Sequence, residues 1–171
     1  IIKIDELEKI LKDNKNKYEI QVANDNSDGQ IVLSGKTKDL QILSEFLRNN
    51  KIKNIKLPVS APFHCNLMSK ATEVMTKELQ KIDFKQSKNI LISNVTADEI
   101  SNIEDLKSLL IKQIEQKVRW RESILYMINK GVNQFIEIGP GKVLSGLVKR
   151  INKDVKISSI NSKLDIDSLN I

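Results

Sequence analysis

The chain has 171 residues, of which 40% are hydrophobic and 29% are charged, so it can bury a core and its composition argues against disorder. Its formal charge of +6 suits an acidic partner or phosphate groups, although lysines scattered over solvated faces are the simpler explanation. Aromatic residues make up only 4%, which argues against a nucleic-acid-binding module, and no apolar run is long enough to span a membrane.

The single cysteine, Cys65, cannot form an internal disulfide, which fits a reducing compartment. The first ten residues lack the basic, apolar and small-residue pattern of a signal peptide. We therefore expect a cytoplasmic protein.

The first 57 residues predict a small α/β unit that begins with a helix near residues 5–11. Asp5 and Glu8 are predicted to act as a capping pair for this helix. The later elements are a strand at 18–23, a strand at 30–33, a helix through 40–47 and a strand at 51–57. This α-β-β-α-β order is most of a ferredoxin-like unit without its first strand, and Ile1 and Ile2 are candidates for the end of that strand.

Beyond residue 57, strands and helices alternate. The predicted elements are helices through 67–82, 104–116 and 121–130, strands at 90–94, 135–138 and 155–160, and a helix from the Gly139–Gly141 turn to 151. Alternation of this kind implies a parallel sheet covered by helices. The sequence therefore predicts an α/β fold whose two parts meet near residue 58.

His64 is the only histidine, so any proton transfer by an imidazole near neutral pH falls to it. It lies in a proline-marked stretch at the predicted junction, where functional sites are common, although a structural role stays open from the residues alone. The neighbouring Cys65 side chain points away from His64 on an extended chain, which indicates a small buried thiol rather than a nucleophile. One histidine and one cysteine exclude a structural zinc site.

Two catalytic motifs are absent. The segment before Lys142 does not form a phosphate-binding loop, because Ile136 stands where the first glycine is required and Val143 stands where a hydroxyl residue is required. A tight turn into a helix is the remaining interpretation. No G-x-S-x-G nucleophile elbow occurs, so the residues alone give an α/β protein with a histidine at its junction.

Four segments, taken together and in order, resemble malonyl-CoA:acyl-carrier-protein transacylases, bacterial-type enzymes of fatty-acid biosynthesis. They are NDNSDGQIVLSG (24–35), PVSAPFHCNLM (58–68), VRWRES (118–123) and GVNQFIEIGPGKVLSGL (131–147). The resemblance implies a ferredoxin-like small subdomain over 1–58, with its first strand incomplete. It also implies that residues 59–171 are the C-terminal portion of an α/β-hydrolase-like parallel-sheet domain.

That family transfers malonyl from coenzyme A to the phosphopantetheine thiol of acyl carrier protein through an acyl-serine, in a ping-pong mechanism. The resemblance implies that His64 is the general base and acid and that the backbone carbonyl of Gln113 orients it. Malonyl-CoA would be the substrate, acyl carrier protein the partner, and no cofactor or metal would be bound. The implied substrate-binding residues are Phe63, Asn24, Asn26, Lys53 and Asn94, with Phe63 favouring malonyl over methylmalonyl groups.

The serine elbow, a glutamine-bearing loop and the arginine that pairs with the malonyl carboxylate belong upstream of residue 1 in that family. We therefore expect the chain alone to be inactive, and to expose a sheet edge that favours aggregation or dimerisation. Two alternatives stay open: an acyltransferase domain of a larger fatty-acid or polyketide synthase, and a non-catalytic remnant that binds carrier protein through its basic face. A nucleic-acid module is a more distant alternative.

Overall fold

The computed structural model describes residues 2–168, so Ile1 of the predicted strand end lies outside the described residues, and Ile2 belongs to no strand. The elements in chain order are α1 (Ile4–Asp13), β1 (Ile20–Ser27), β2 (Gln30–Gly35), α2 (Thr37–Asn49), a 3-10 helix (Asn66–Met68), α3 (Ser69–Gln80), α4 (Ile103–Lys112), α5 (Trp120–Asn129), β3 (Gln134–Ile138), α6 (Val143–Ile151), β4 (Lys156–Ile160) and α7 (Lys163–Asp167). The predicted α/β class is confirmed.

The first part of the chain is an antiparallel hairpin with two helices packed against it. The register of β1 and β2 runs from Ile20 opposite Gly35 to Ser27 opposite Gln30, and Gly29 supplies the positive φ of 73° that the tight turn requires. The core of this part contains Leu7 of α1 with Leu43 and Leu47 of α2. Both predicted strands and the second predicted helix are therefore present.

Three local predictions are wrong. Lys3, not Asp5, is the N-cap of α1, and no side chain caps this helix. Residues 51–57 form no strand, and the apolar side chains of Ile55 and Leu57 are 76% and 40% exposed. The 90–94 segment makes only an isolated bridge at Ile92. A strand needs a hydrogen-bonded neighbour, and no described strand lies beside either segment.

The second part contains a parallel pair, β3 and β4, connected through α6. Gln134 pairs with Lys156 and Ile138 with Ile160, so the predicted parallel arrangement is confirmed for these two strands. The sheet has only two strands within residues 2–168, and Ile138 is 78% exposed. None of the helices in this range is long and apolar enough to cross a membrane.

The two parts are joined along β1. The Val118 N–H donates to the Ala23 carbonyl at 2.8 Å, and the Asp25 N–H donates to the Val118 carbonyl at 2.9 Å. These bonds form a parallel bridge between Asn24 and Val118, immediately before α5. The bridge places the segment that follows α4 beside the hairpin, and the candidate site is built on that segment.

Candidate functional site

The His64 side chain contacts one main-chain carbonyl, and its backbone contacts the next. Its Nδ1 lies 2.7 Å from the carbonyl oxygen of Gln113, and its backbone N–H donates to the carbonyl of Ile114 at 3.2 Å. A carbonyl accepts but cannot donate, so Nδ1 carries the proton in the neutral ring and Nε2 is left as an acceptor. The contact has the geometry that the resemblance implies, while the catalytic role of His64 stays a prediction.

The carbonyl that orients the His64 ring lies at the end of α4, and the Ile114 carbonyl that accepts the His64 N–H follows directly after it. Gln113 is the C-cap of this helix, and its own N–H donates to Leu109 at 3.0 Å. The last carbonyls of a helix have no partner within the helix and carry partial negative charge. A helix end therefore supplies both the orientation and the favourable electrostatics that a carboxylate provides in serine–histidine–aspartate enzymes.

The backbone of His64 is left-handed, with a φ of 60°. A non-glycine residue in this region costs free energy and persists only where surrounding contacts hold it. Cys65 follows, 1% exposed, with its Sγ donating to the Pro62 carbonyl at 3.1 Å. The thiol is thus buried and hydrogen-bonded to the Pro62 carbonyl. Within residues 2–168, no group of three His, Cys, Asp or Glu residues could hold a metal ion.

Asn94 is brought next to Gln113, the residue whose carbonyl orients His64. Its side-chain Nδ2 lies 3.5 Å from Gln113 Oε1, a long hydrogen bond, and its carbonyl accepts the Arg119 N–H at 2.8 Å. Asn94 therefore supports the segment that carries the orienting carbonyl. Its predicted contact with substrate stays a prediction.

The other predicted binding residues lie on β1, in the segment after α2 and directly before His64. Asn24 and Asn26 are half-buried on β1, and Asn24 takes part in the bridge to Val118. Lys53 is exposed in the segment predicted as a strand. Phe63, directly before His64, is 50% exposed, so its ring is available to a ligand.

Sequence reasoning missed a buried ion pair between β1 and α5. The Asp25 carboxylate is 1% exposed and accepts hydrogen bonds from Arg121, at 3.1 Å from Nε to each oxygen and at 2.8 Å from Nη2. This hydrogen bonding to Asp25 raises the pKa of Arg121 above its ordinary value. One signal in the sequence could have indicated this buried carboxylate. Alternation along β1 places Asp25 and Ser27 on the same inward face as the buried Ala23.

The glycine-rich turn before α6 is closed by the protein's own carboxylate. Glu137 accepts the N–H groups of Leu144 at 3.1 Å and Ser145 at 2.7 Å, in the first turn of α6. Gly139 and Gly141 have φ values of 138° and 94°, which a tight turn requires. The N-terminus of α6 is therefore already bound to an anion, in agreement with the prediction that this turn is not a phosphate-binding loop.

The Glu137 contacts predict a pH-dependent contribution to stability. Hydrogen bonds to the Glu137 carboxylate lower its pKa below the ordinary value of 4.5. The largest contribution comes from the Ser145 side chain and the next from the Ser145 backbone N–H. The folded state therefore gains stability above the unfolded pKa and loses it as the pH falls through the folded pKa. We expect Glu137→Gln to lower the unfolding temperature at pH 7, and this difference to vanish in acid.

Thermal unfolding of both proteins from about pH 7 down to pH 3 tests this prediction. Glu45→Gln, the same change at an exposed position on α2, is the matched control. A difference between Glu137→Gln and the original chain that is unchanged in acid would contradict the role of the carboxylate.

A cleft of about 440 Å³ lies beside the candidate site, not at it. Its lining includes Glu8, Gln21, Val95, Gln116 and Lys117, but not His64. Lys117 and Glu8 form an ion pair in this cleft, at 2.8 Å. A general base must lie within hydrogen-bonding reach of the proton that it abstracts, and His64 does not line this cleft. We therefore place the candidate site at His64 rather than in the cleft.

Known proteins are similar to this chain in both sequence and fold. The malonyl CoA-acyl carrier protein transacylase of Bacillus subtilis (strain 168) is 44% identical over 149 residues, a match that covers 86% of this chain and 47% of that protein. An acyl-carrier-protein-S-malonyltransferase from Bartonella henselae has a TM-score of 0.92 at 38% identity, covering 98% of this chain and 54% of the other.

A further solved structure is that of a malonyl-transacylase in complex with its type II PKS acyl-carrier protein. Its TM-score is 0.91 at 27% identity, and the match covers 98% of this chain and 55% of that one. No family model matches the sequence. The chain spans about half the length of the curated relatives that it matches. The neighbours agree with the α/β fold, whereas the two named subdomains and the boundary at residue 58 stay predictions.

Proposed function

Because the chain belongs to the malonyl CoA-acyl carrier protein transacylase family over about half the length of its relatives, we propose that it supplies the histidine part of a malonyl transferase. The donor is malonyl-CoA and the acceptor is the phosphopantetheine thiol of an acyl carrier protein. The observation that carries the proposal is the 2.7 Å contact between His64 Nδ1 and the Gln113 carbonyl, in the segment that resembles the family's histidine motif.

The proposed reaction has two halves. A serine from a part of the enzyme outside this chain attacks the thioester carbonyl while Nε2 of His64 accepts the serine proton. The carbon–sulfur bond breaks, and the imidazolium returns the proton to the leaving coenzyme A thiolate. The carrier thiol then loses its proton to His64 and attacks the malonyl-serine, whose oxygen recovers the proton. Only acyl groups and protons move, so the chemistry needs no metal and no redox cofactor.

Two observations support acyl carrier protein as the partner. One structural neighbour is a malonyl-transacylase in complex with its type II PKS acyl-carrier protein. The formal charge of +6 on this chain would attract an acidic partner and give an association that weakens with salt.

The proposal can be tested in a chimera that joins this chain to the part of the Bacillus subtilis relative outside the matched 149 residues. The assay follows malonyl transfer from malonyl-CoA to holo acyl carrier protein while both concentrations are varied. Parallel double-reciprocal lines are expected for a ping-pong reaction. A folded chimera without transfer would refute the proposed function.

Phe63 provides a prediction about selectivity. Its half-exposed ring stands directly before His64 and would crowd an α-methyl group on the acyl chain. Since one methyl group in an apolar pocket is worth about 1–3 kcal/mol, Phe63→Ser should lower the kcat/KM preference for malonyl over methylmalonyl by roughly tenfold or more. Competition between the two thioesters in the chimera measures this ratio.

Phe46→Ser is the matched control for Phe63→Ser, because Phe46 is 41% exposed on α2. This control should leave the preference unchanged. An unchanged preference in Phe63→Ser as well would remove Phe63 from the specificity pocket.

A further inference from the structure

The left-handed backbone of His64 has hydrogen-bonding contacts on both sides of the residue. On its N-terminal side, the His64 N–H donates to the Ile114 carbonyl at 3.2 Å. On its C-terminal side, the Asn66 N–H donates to the side-chain Oε1 of Gln21 at 2.7 Å. The second contact comes from β1, 45 residues away in sequence.

Gln21 lies on a strand that is itself fixed to the segment carrying Gln113. The backbone bridge between Asn24 and Val118 joins β1 to this segment, and the Asp25–Arg121 ion pair joins β1 to α5. The His64 loop is thus held between two elements whose relative position is set. Gln113 and Ile114 hold it from one side, and Gln21 holds it from the other.

We propose that Gln21 is a positioning residue for His64. Its Oε1 fixes the N–H of Asn66 and, with it, the short stretch of backbone that follows His64. This keeps the φ of His64 at 60° and Nδ1 on the Gln113 carbonyl, so that Nε2 remains the acceptor. The inference rests on the proposed function of His64 as the base. The Gln21 side chain is exposed to solvent, so its replacement does not disturb the core.

The tautomer of His64 reports this role directly, and the chain is well suited to the measurement because it has one histidine. Two-bond and three-bond ¹H–¹⁵N correlations on the ¹⁵N-labelled chain, in alkaline buffer where the ring is neutral, show which nitrogen carries the proton. The original chain should show the Nδ1–H form. Gln21→Met, which removes the acceptor at similar size, should lower the ratio of Nδ1–H to Nε2–H by roughly three- to tenfold, as for the loss of one hydrogen bond.

Two further variants complete the test. Gln21→Glu keeps an acceptor oxygen at the same position and should restore the original ratio. Gln41→Met makes the same change at an exposed position on α2, where no side-chain hydrogen bond to any residue of 2–168 is present, and should leave the ratio unchanged. An unchanged ratio in Gln21→Met, or an equal loss in Gln21→Glu or Gln41→Met, would overturn the inference.

The measurement also separates this inference from the proposed function. The tautomer is observed in the chain itself and does not depend on malonyl transfer. If the chimera fails to transfer malonyl but Gln21→Met still changes the tautomer, the proposed function fails and the positioning contact stands. If the chimera is active but Gln21→Met leaves the ratio of the two tautomers unchanged, only the positioning role fails.

Discussion

Replacing His64 with alanine in the chimera should lower kcat for malonyl transfer by roughly 10²–10⁴-fold, the range for removing a positioned general base. The expected loss follows from the geometry, because the Gln113 carbonyl occupies Nδ1 and leaves Nε2 to accept the serine proton in the proposed reaction. Single-turnover transfer from malonyl-CoA measures the effect on chemistry separately from product release.

Gln113→Ala is the matched comparison for His64→Ala. The residue contributes to the site through its backbone carbonyl, which alanine retains, and Gln113 is the C-cap of α4, where alanine is tolerated. The side chain also meets Asn94 at 3.5 Å, so a loss of about two- to fivefold is expected rather than none. A loss in Gln113→Ala as large as that in His64→Ala would contradict the assignment of the orienting role to the carbonyl.

Replacing Arg121 with alanine should destabilise the chain by about 3–5 kcal/mol, because it leaves the Asp25 carboxylate buried without its partner. Asp25 is 1% exposed and accepts three hydrogen-bond contacts from Arg121. The ion pair also connects β1 to α5, so its loss should weaken the contact between the two parts of the chain. Urea unfolding at pH 7, followed by circular dichroism, gives the free energy of unfolding.

Two controls separate the buried charge from the loss of a long side chain. Arg48→Ala on the exposed face of α2 should change stability by less than about 0.5 kcal/mol. The double variant Asp25→Leu with Arg121→Met replaces the ion pair by apolar groups and should recover most of the lost stability. A double variant as unstable as Arg121→Ala would contradict the account of Asp25 as an unpaired buried charge.

The elements that the sequence predicted correctly are those encoded over short distances. The hairpin of β1 and β2 has a glycine at its turn, and α2 has Leu43 and Leu47 on one buried face. Hydrophobic periodicity and turn residues act within a few positions, so they can be read without knowledge of the rest of the fold.

Two of the three incorrect predictions concern strands, whose formation depends on hydrogen-bonded neighbours elsewhere in the chain. Residues 51–57 have the alternation of a strand, but alternation describes the faces of a strand and says nothing about a hydrogen-bonded partner. The same reason applies to 90–94, where only Ile92 finds a bridge, to Glu99. At α1, the sequence placed a capping pair at Asp5 and Glu8, whereas the helix already begins at Ile4.

The site itself depends on contacts between distant parts of the chain. His64 and Gln113 are 49 residues apart, and only the family resemblance suggested their pairing. Arg121 and Asp25 are 96 residues apart, and Gln21 and Asn66 are 45 apart, so neither pair leaves a local pattern. An inward-facing aspartate on a strand can be recognised as needing a partner, but the identity of that partner comes only from the fold.

In the proposed malonyl transfer, His64 serves as the base and the serine comes from outside this chain. The most direct test is the intact mass of the chimera after rapid mixing with malonyl-CoA, for the original sequence and for His64→Ala. We predict that the original chimera gains the mass of one malonyl group and loses it when holo acyl carrier protein is added, while His64→Ala gains it at least a hundredfold more slowly. Equal rates of malonyl gain in the two proteins, or no gain in the original chimera, would contradict the claim.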